Sequence, residues 1–87
     1  MLSRISPGSI PDELYFLCML HNIGATAPEK SLTLEEISRW TVMKSEKVEE
    51  NLKKLMEGNH VESSLISGVV RYFLTVDGIR KVLSMYS

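Results

Sequence analysis

Residues 33–55 read "TLEEISRWTVMKSEKVEENLKKL", and this stretch decides the fold. Thr33 is followed three residues later by Glu36, the spacing at which a hydroxyl and a carboxylate cap each other's backbone at a helix start. Ile37 and Trp40 sit three apart on one face, and Trp40 is read as the anchor of this short helix. "TVMKS" (41–45) is a tight connection. The spacing predicts a further helix from about Ser45 to Glu57, with Val48, Leu52, Leu55 and Met56 as its core stripe at i, i+4, i+7 and i+8. Gly58 and Asn59, which follow, both tolerate the left-handed backbone that ends helices.

Upstream, "SIPDE" (9–13) predicts another helix start, with Ser9 as cap, Pro11 in the first turn, and Asp12 and Glu13 complementing the positive helix end. This helix ends near Gly24. Ile10, Leu14, Leu17 and Cys18 make one apolar stripe, and Phe16, Met19, Leu20 and Ile23 make a second. A helix apolar nearly all round must be buried on more than one side. In so small a domain a partner subunit is the natural cover, so Phe16, Met19, Leu20 and Ile23 are expected at a homodimer seam. Residues 1–8, broken by Pro7 and Gly8 and charged only at Arg4, read as a flexible N-terminal arm, and residues 9–87 as a single domain.

Downstream, "HVESSLISGVVRYFL" (60–74) holds two β-prone runs around Ser67 and Gly68, a two-residue hairpin turn. That register sets Leu65 opposite Val70, Ser63 opposite Tyr72 and Val61 opposite Leu74, six residues on one face expected to lie on the core. A lone two-stranded hairpin is not stable by itself, so it must lean on the helices. "TVDGIRKVLSMYS" (75–87) is the last helix, capped by Thr75, with Val76, Ile79, Val82, Leu83 and Tyr86 as its apolar stripe. The expected class is mainly α with a small β-hairpin (α+β), in the order α-α-α-β-β-α.

The 87 residues have room for one modest core. No run of 18 apolar residues is present, so no membrane span is expected. The first residues lack a long apolar run and a cleavage site, and Cys18 is the single cysteine, so a reducing cytoplasm fits and a disulfide framework is excluded. With a net charge of −1 the chain is no general nucleic-acid glue, and any such binding needs a local patch.

A short capped helix, a turn, a second helix and a hairpin make the winged helix-turn-helix arrangement. The quoted stretch resembles the core of MarR-, ArsR- and PadR-like bacterial and archaeal regulators at Thr33, Leu34, Ile37, Val42 and Val48. "LMEGNHVES" (55–63) is similar to their helix exit, with Asn59 where glycine is usual. "YFLTVDGIRKVL" (72–83) is similar to their wing exit at Tyr72, Leu74, Thr75 and Gly78. The resemblance implies a small transcription regulator that reads double-stranded DNA with the helix at 45–57 and touches backbone with the wing. The positions it implies for DNA are Arg39, Lys44, Ser45, Glu46, Lys47, Glu50, Asn51, Lys54 and Arg71. Arg39, Lys44, Arg71 and Arg4 are the candidates for phosphate. The few cations per chain again favour a homodimer. The wing tip, Leu65 to Val70, lacks the usual basic residues and is expected to fold down on the core.

The reading helix carries as many glutamates as lysines between Lys44 and Val61. Glu49 precedes Lys53 by four, and Glu50 precedes Lys54 by four, the favourable orientation for helix ion pairs. A solvated, self-paired surface is therefore the competing account, and a winged-helix protein-interaction module in a larger complex is the alternative function. His21 and His60 lie far apart without metal spacing, and His21 reads as a core histidine. No nucleophile constellation, phosphate loop or ligand domain is present, so no enzyme activity, no cofactor, no metal site and no small-molecule effector is expected.

Overall fold

The computed structural model describes residues 12–86. The expected arm, Arg4, and Ser9, Ile10 and Pro11 of the first helix lie outside the described residues.

The elements run α1 (Asp12–Asn22), a 3₁₀ turn (Pro28–Lys30), α2 (Leu34–Thr41), α3 (Ser45–Glu57), β1 (Val61–Ile66), β2 (Val69–Leu74) and α4 (Val76–Met85). This is the expected order and class: four helices and an antiparallel hairpin. The hairpin register pairs Val61 with Leu74, Ser63 with Tyr72 and Leu65 with Val70, as the turn position requires. Ser67 and Gly68 both have positive φ, +52° and +78°, the primed turn whose twist matches the strands. The hairpin leans on the helices in one further way: Leu32 and Tyr72 exchange backbone hydrogen bonds of 3.0 and 2.8 Å, so the segment before α2 borders β2.

One core joins Phe16, Leu17 and Leu20 of α1 to Ile37, Val48, Leu52, Leu55, Val61, Leu74 and Val82. Here the expected dimer seam is corrected at Phe16 and Leu20. Phe16 and Leu20 are fully buried within one chain, because α3, α4 and β2 all pack on α1. Met19 and Ile23 are half-buried against the same core. Three elements of its own chain cover the Phe16, Leu17 and Leu20 face of this helix, while Tyr15 stays exposed.

The stripe of α4 also divides differently. Val82 and Gly78 face inward, whereas Val76, Leu83 and Tyr86 are exposed. Gly78 is required by a close approach: a Cβ there would overlap the His60 carbonyl oxygen and lie 3.0 Å from its carbon. The same carbonyl accepts the Thr75 N–H at 3.0 Å, and Thr75 Oγ1 donates to the Asn59 carbonyl at 2.7 Å while accepting from the Gly78 N–H. The α3 exit, with Asn59 at φ +68°, is thus fastened to the start of α4. Met56, placed in the core stripe of α3 by its spacing, is exposed.

Candidate nucleic-acid interface

The helix-turn-helix unit is rigidly built. The Thr33 N–H donates to Glu36 Oε1 at 2.9 Å, and the Glu36 N–H donates to Thr33 Oγ1 at 3.1 Å, a complete capping box. At the other end of α2, Thr41 Oγ1 donates to the Ile37 carbonyl at 2.7 Å, and the Ser38 hydroxyl donates to the Met43 carbonyl. Between them Val42 takes φ +56°, ψ +40°, the left-handed conformation. A β-branched residue there is strained. Its side chain stands 90% exposed. The turn was legible as a turn, but its left-handed residue was not, because valine is not among the residue types that signal one.

Trp40 does not anchor α2. It is 65% exposed, and Ile37 alone fills the core position of this helix. The indole projects beside Arg39 and Glu36, with which it borders a shallow recess.

On α3, Val48, Asn51, Leu52 and Leu55 are buried, and Ser45, Glu46, Glu49, Glu50, Lys53, Lys54 and Glu57 are exposed. Asn51 is thereby corrected: it is 1% exposed, and its amide has no hydrogen-bond partner, so it belongs to the core and not to an outer reading surface. Lys54 pairs with Glu50 at 3.8 Å, as the spacing anticipates. Lys47 instead reaches across to Asp12 of α1 at 3.7 Å. Lys44 is exposed at the N-cap of α3 and supplies no side-chain cap, while its carbonyl accepts the Lys47 and Val48 N–H groups at 3.0 Å. Arg39 is exposed near the turn.

Arg71 is tied down. Its guanidinium donates to the Ser31 carbonyl at 2.8 Å and lies 3.6 Å from Glu36 Oε1. Glu36 is the capping-box carboxylate of α2, so Arg71 links the middle of β2 to the start of the helix-turn-helix. The long sequence separation hid this contact.

The hairpin tip does not fold onto the core. Val61 and Leu74 are buried at its base, but Leu65, Ile66, Val69 and Val70 are all exposed. Between hairpin and α3 runs a groove with Leu52, Met56 and Tyr72 on its floor and Glu49, Lys53 and Glu57 along it.

Elsewhere, His21 is half-buried, with Nδ1 unpartnered. Burial pushes the Cys18 thiol above its ordinary value, partly offset by a hydrogen bond with Tyr86. Among the described residues no His, Cys, Asp and Glu cluster suits a metal ion, and no helix is long and apolar enough to cross a membrane.

No family model and no curated protein matches the sequence. Solved structures do match. The DNA-binding TubR fragment from Clostridium botulinum superposes with a TM-score of 0.73 at 25% identity, covering 85% of this chain and 93% of that one. Bordetella bronchiseptica BpsR, whose DNA binding is regulated by 6-hydroxynicotinic acid, gives 0.73 at 21% identity, with 92% of this chain and 63% of that one covered. A MarR family protein from Bacillus stearothermophilus gives 0.69 at 20% identity, with 98% and 55% covered. This chain thus spans nearly all of the TubR fragment but under two thirds of the two other proteins. Element order, register and these superpositions together make it a winged helix-turn-helix domain.

Proposed function

We propose that this domain is a small, non-enzymatic transcription regulator that binds double-stranded DNA in the cytoplasm, without cofactor or small-molecule effector. The observation that carries the reading is the exposed N-terminal half of α3, set by a rigid turn beside an exposed wing in a fold shared with a DNA-binding fragment. Lys44, Ser45, Glu46, Lys47 and Glu50 are the residues proposed to meet base edges. Lysine donates to guanine and glutamate accepts from cytosine. Arg39, Lys44 and Lys54 are proposed for phosphates, beside an α3 N-terminus that has no side-chain cap.

Three cations per chain are few, and a homodimer doubles them. Its seam is proposed on the exposed stripe of Val76, Leu83 and Tyr86 with the neighbouring Tyr15 of α1. Leu83→Glu should then convert a dimer to a folded monomer in sedimentation, and a wild-type monomer at high micromolar concentration would refute the seam. About six phosphate contacts per dimer predict a loss of roughly 10³ in affinity between about 50 and 200 mM salt. A titration with a random duplex pool at those two concentrations tests the reading.

A protein-interaction module is the second reading. It is favoured by the exposed Trp40 and Val42 beside a half-acidic α3. It takes over if no duplex is bound even at the lower salt concentration.

A further inference from the structure

The distal wing has three properties that together point to one use. From Ser63 to Val70 it carries no charged side chain. Its nearest cation, Arg71, is committed to Ser31 and Glu36. Its aliphatic side chains are exposed on both faces of the ribbon: Leu65, 71% exposed, pairs with Val70 on one face, and Ile66 pairs with Val69 on the other. Such a tip cannot neutralise a phosphate. It is also free of the carboxylates that crowd α3, so it is a part of the proposed DNA-facing surface that does not repel a polyanion.

Resting on the DNA-binding reading above, we propose that the wing tip is an apolar wedge that enters the minor groove, opens a base step and bends the duplex. Dimensions decide between lying in the groove and prying it open. The minor groove of regular duplex is about 6 Å wide. Two paired strands are already about 4.8 Å apart before side chains are added above and below them. The ribbon therefore does not fit an undeformed groove. Aliphatic side chains that enter a minor groove unstack a step and kink the duplex toward the major groove. Leu65 and Ile66, with their partners across the primed turn, are placed to do this. Because pyrimidine–purine steps such as TA and CA unstack most easily, the wedge selects them without hydrogen-bonding any base. It also supplies apolar contact area where cations are scarce.

The test uses the full chain and a duplex that the protein itself selects from a random pool. End-to-end energy transfer reports bending, and 2-aminopurine placed at successive steps reports unstacking. Wild type should shorten the end-to-end distance, brighten 2-aminopurine at one step, and enrich TA or CA there. The double variant Leu65→Ser, Ile66→Ser changes only exposed positions, and its thermal melting curve verifies that the fold is kept. It should lose bending, brightening and step preference and bind that duplex about tenfold more weakly, the scale of one lost specific step. Its salt dependence should be unchanged, since no phosphate contact is removed. Leu65→Phe, a larger wedge, should bend at least as strongly as wild type. A wild-type complex that is straight and fully stacked, or a double-serine variant that bends as wild type does, overturns the wedge and leaves the DNA-binding reading standing. Failure of wild type to bind any duplex overturns both.

Discussion

Replacing Arg71 by alanine separates a DNA contact from a structural tie. A wing arginine that meets a phosphate contributes to binding and almost nothing to folding. Here the side chain is only 32% exposed and donates to the Ser31 carbonyl at 2.8 Å. The Glu36 carboxylate, at 3.6 Å and partly solvated, adds little, because such exposed pairs contribute about 0–1 kcal/mol. The hydrogen bond from a charged donor dominates, at roughly 1.5–3 kcal/mol. Partial exposure places the expected loss near the lower end, about 1.5–2 kcal/mol. In a domain of this size each kcal/mol moves the melting temperature by about 4–8 °C, so Arg71→Ala should melt roughly 6–16 °C below wild type. Calorimetry or far-ultraviolet circular dichroism reads this directly. Arg71→Lys should recover only part of the loss, since an ammonium lacks the planar fork. In DNA titrations the salt slope should stay that of wild type. A variant that melts with wild type while its salt slope becomes shallower by roughly one unit would refute the reasoning and return Arg71 to a phosphate.

Gly78→Ala offers a contest of sign. Helix propensity alone favours alanine by about 0.8–1 kcal/mol, but the new Cβ meets the His60 backbone, so denaturant unfolding should show a net loss of at least about 2 kcal/mol. Asn51→Leu removes a buried amide without partners, whose burial costs about 1–3 kcal/mol, so the variant should match or exceed wild-type stability in the same assay. Val42→Gly relieves a left-handed valine. Relief of about 1–2 kcal/mol, less the greater chain entropy of glycine, should leave a rise in stability of about 0.5–1 kcal/mol.

Local chemistry determined what the sequence alone made legible. The capping box at Thr33 and Glu36, the bounds of α3, the hairpin register around Ser67 and Gly68, and the cap at Thr75 each depend on residues within a few positions of one another. Backbone hydrogen bonding at helix ends and turns specifies them, and that bonding is set by residue types a few positions apart. Periodicity also placed Val48, Leu52 and Leu55 in the core.

Periodicity shows that a face is apolar, but not what covers it. Phe16 and Leu20 suggest a partner subunit until α3, α4 and β2 are seen to enclose them. Trp40, Leu65, Val76 and Leu83 sit at apolar positions yet face outward, because an 87-residue chain has too little core to bury every apolar residue. Asn51 is polar yet lies inside, since its place on α3 is set by Val48 and Leu52 on either side. Arg71 reads as a free cation until the fold brings up Ser31 and Glu36, 40 and 35 residues away in sequence. Hydrogen bonds and burial between distant segments are properties of the assembled chain, and they decide which side chains remain available to a partner.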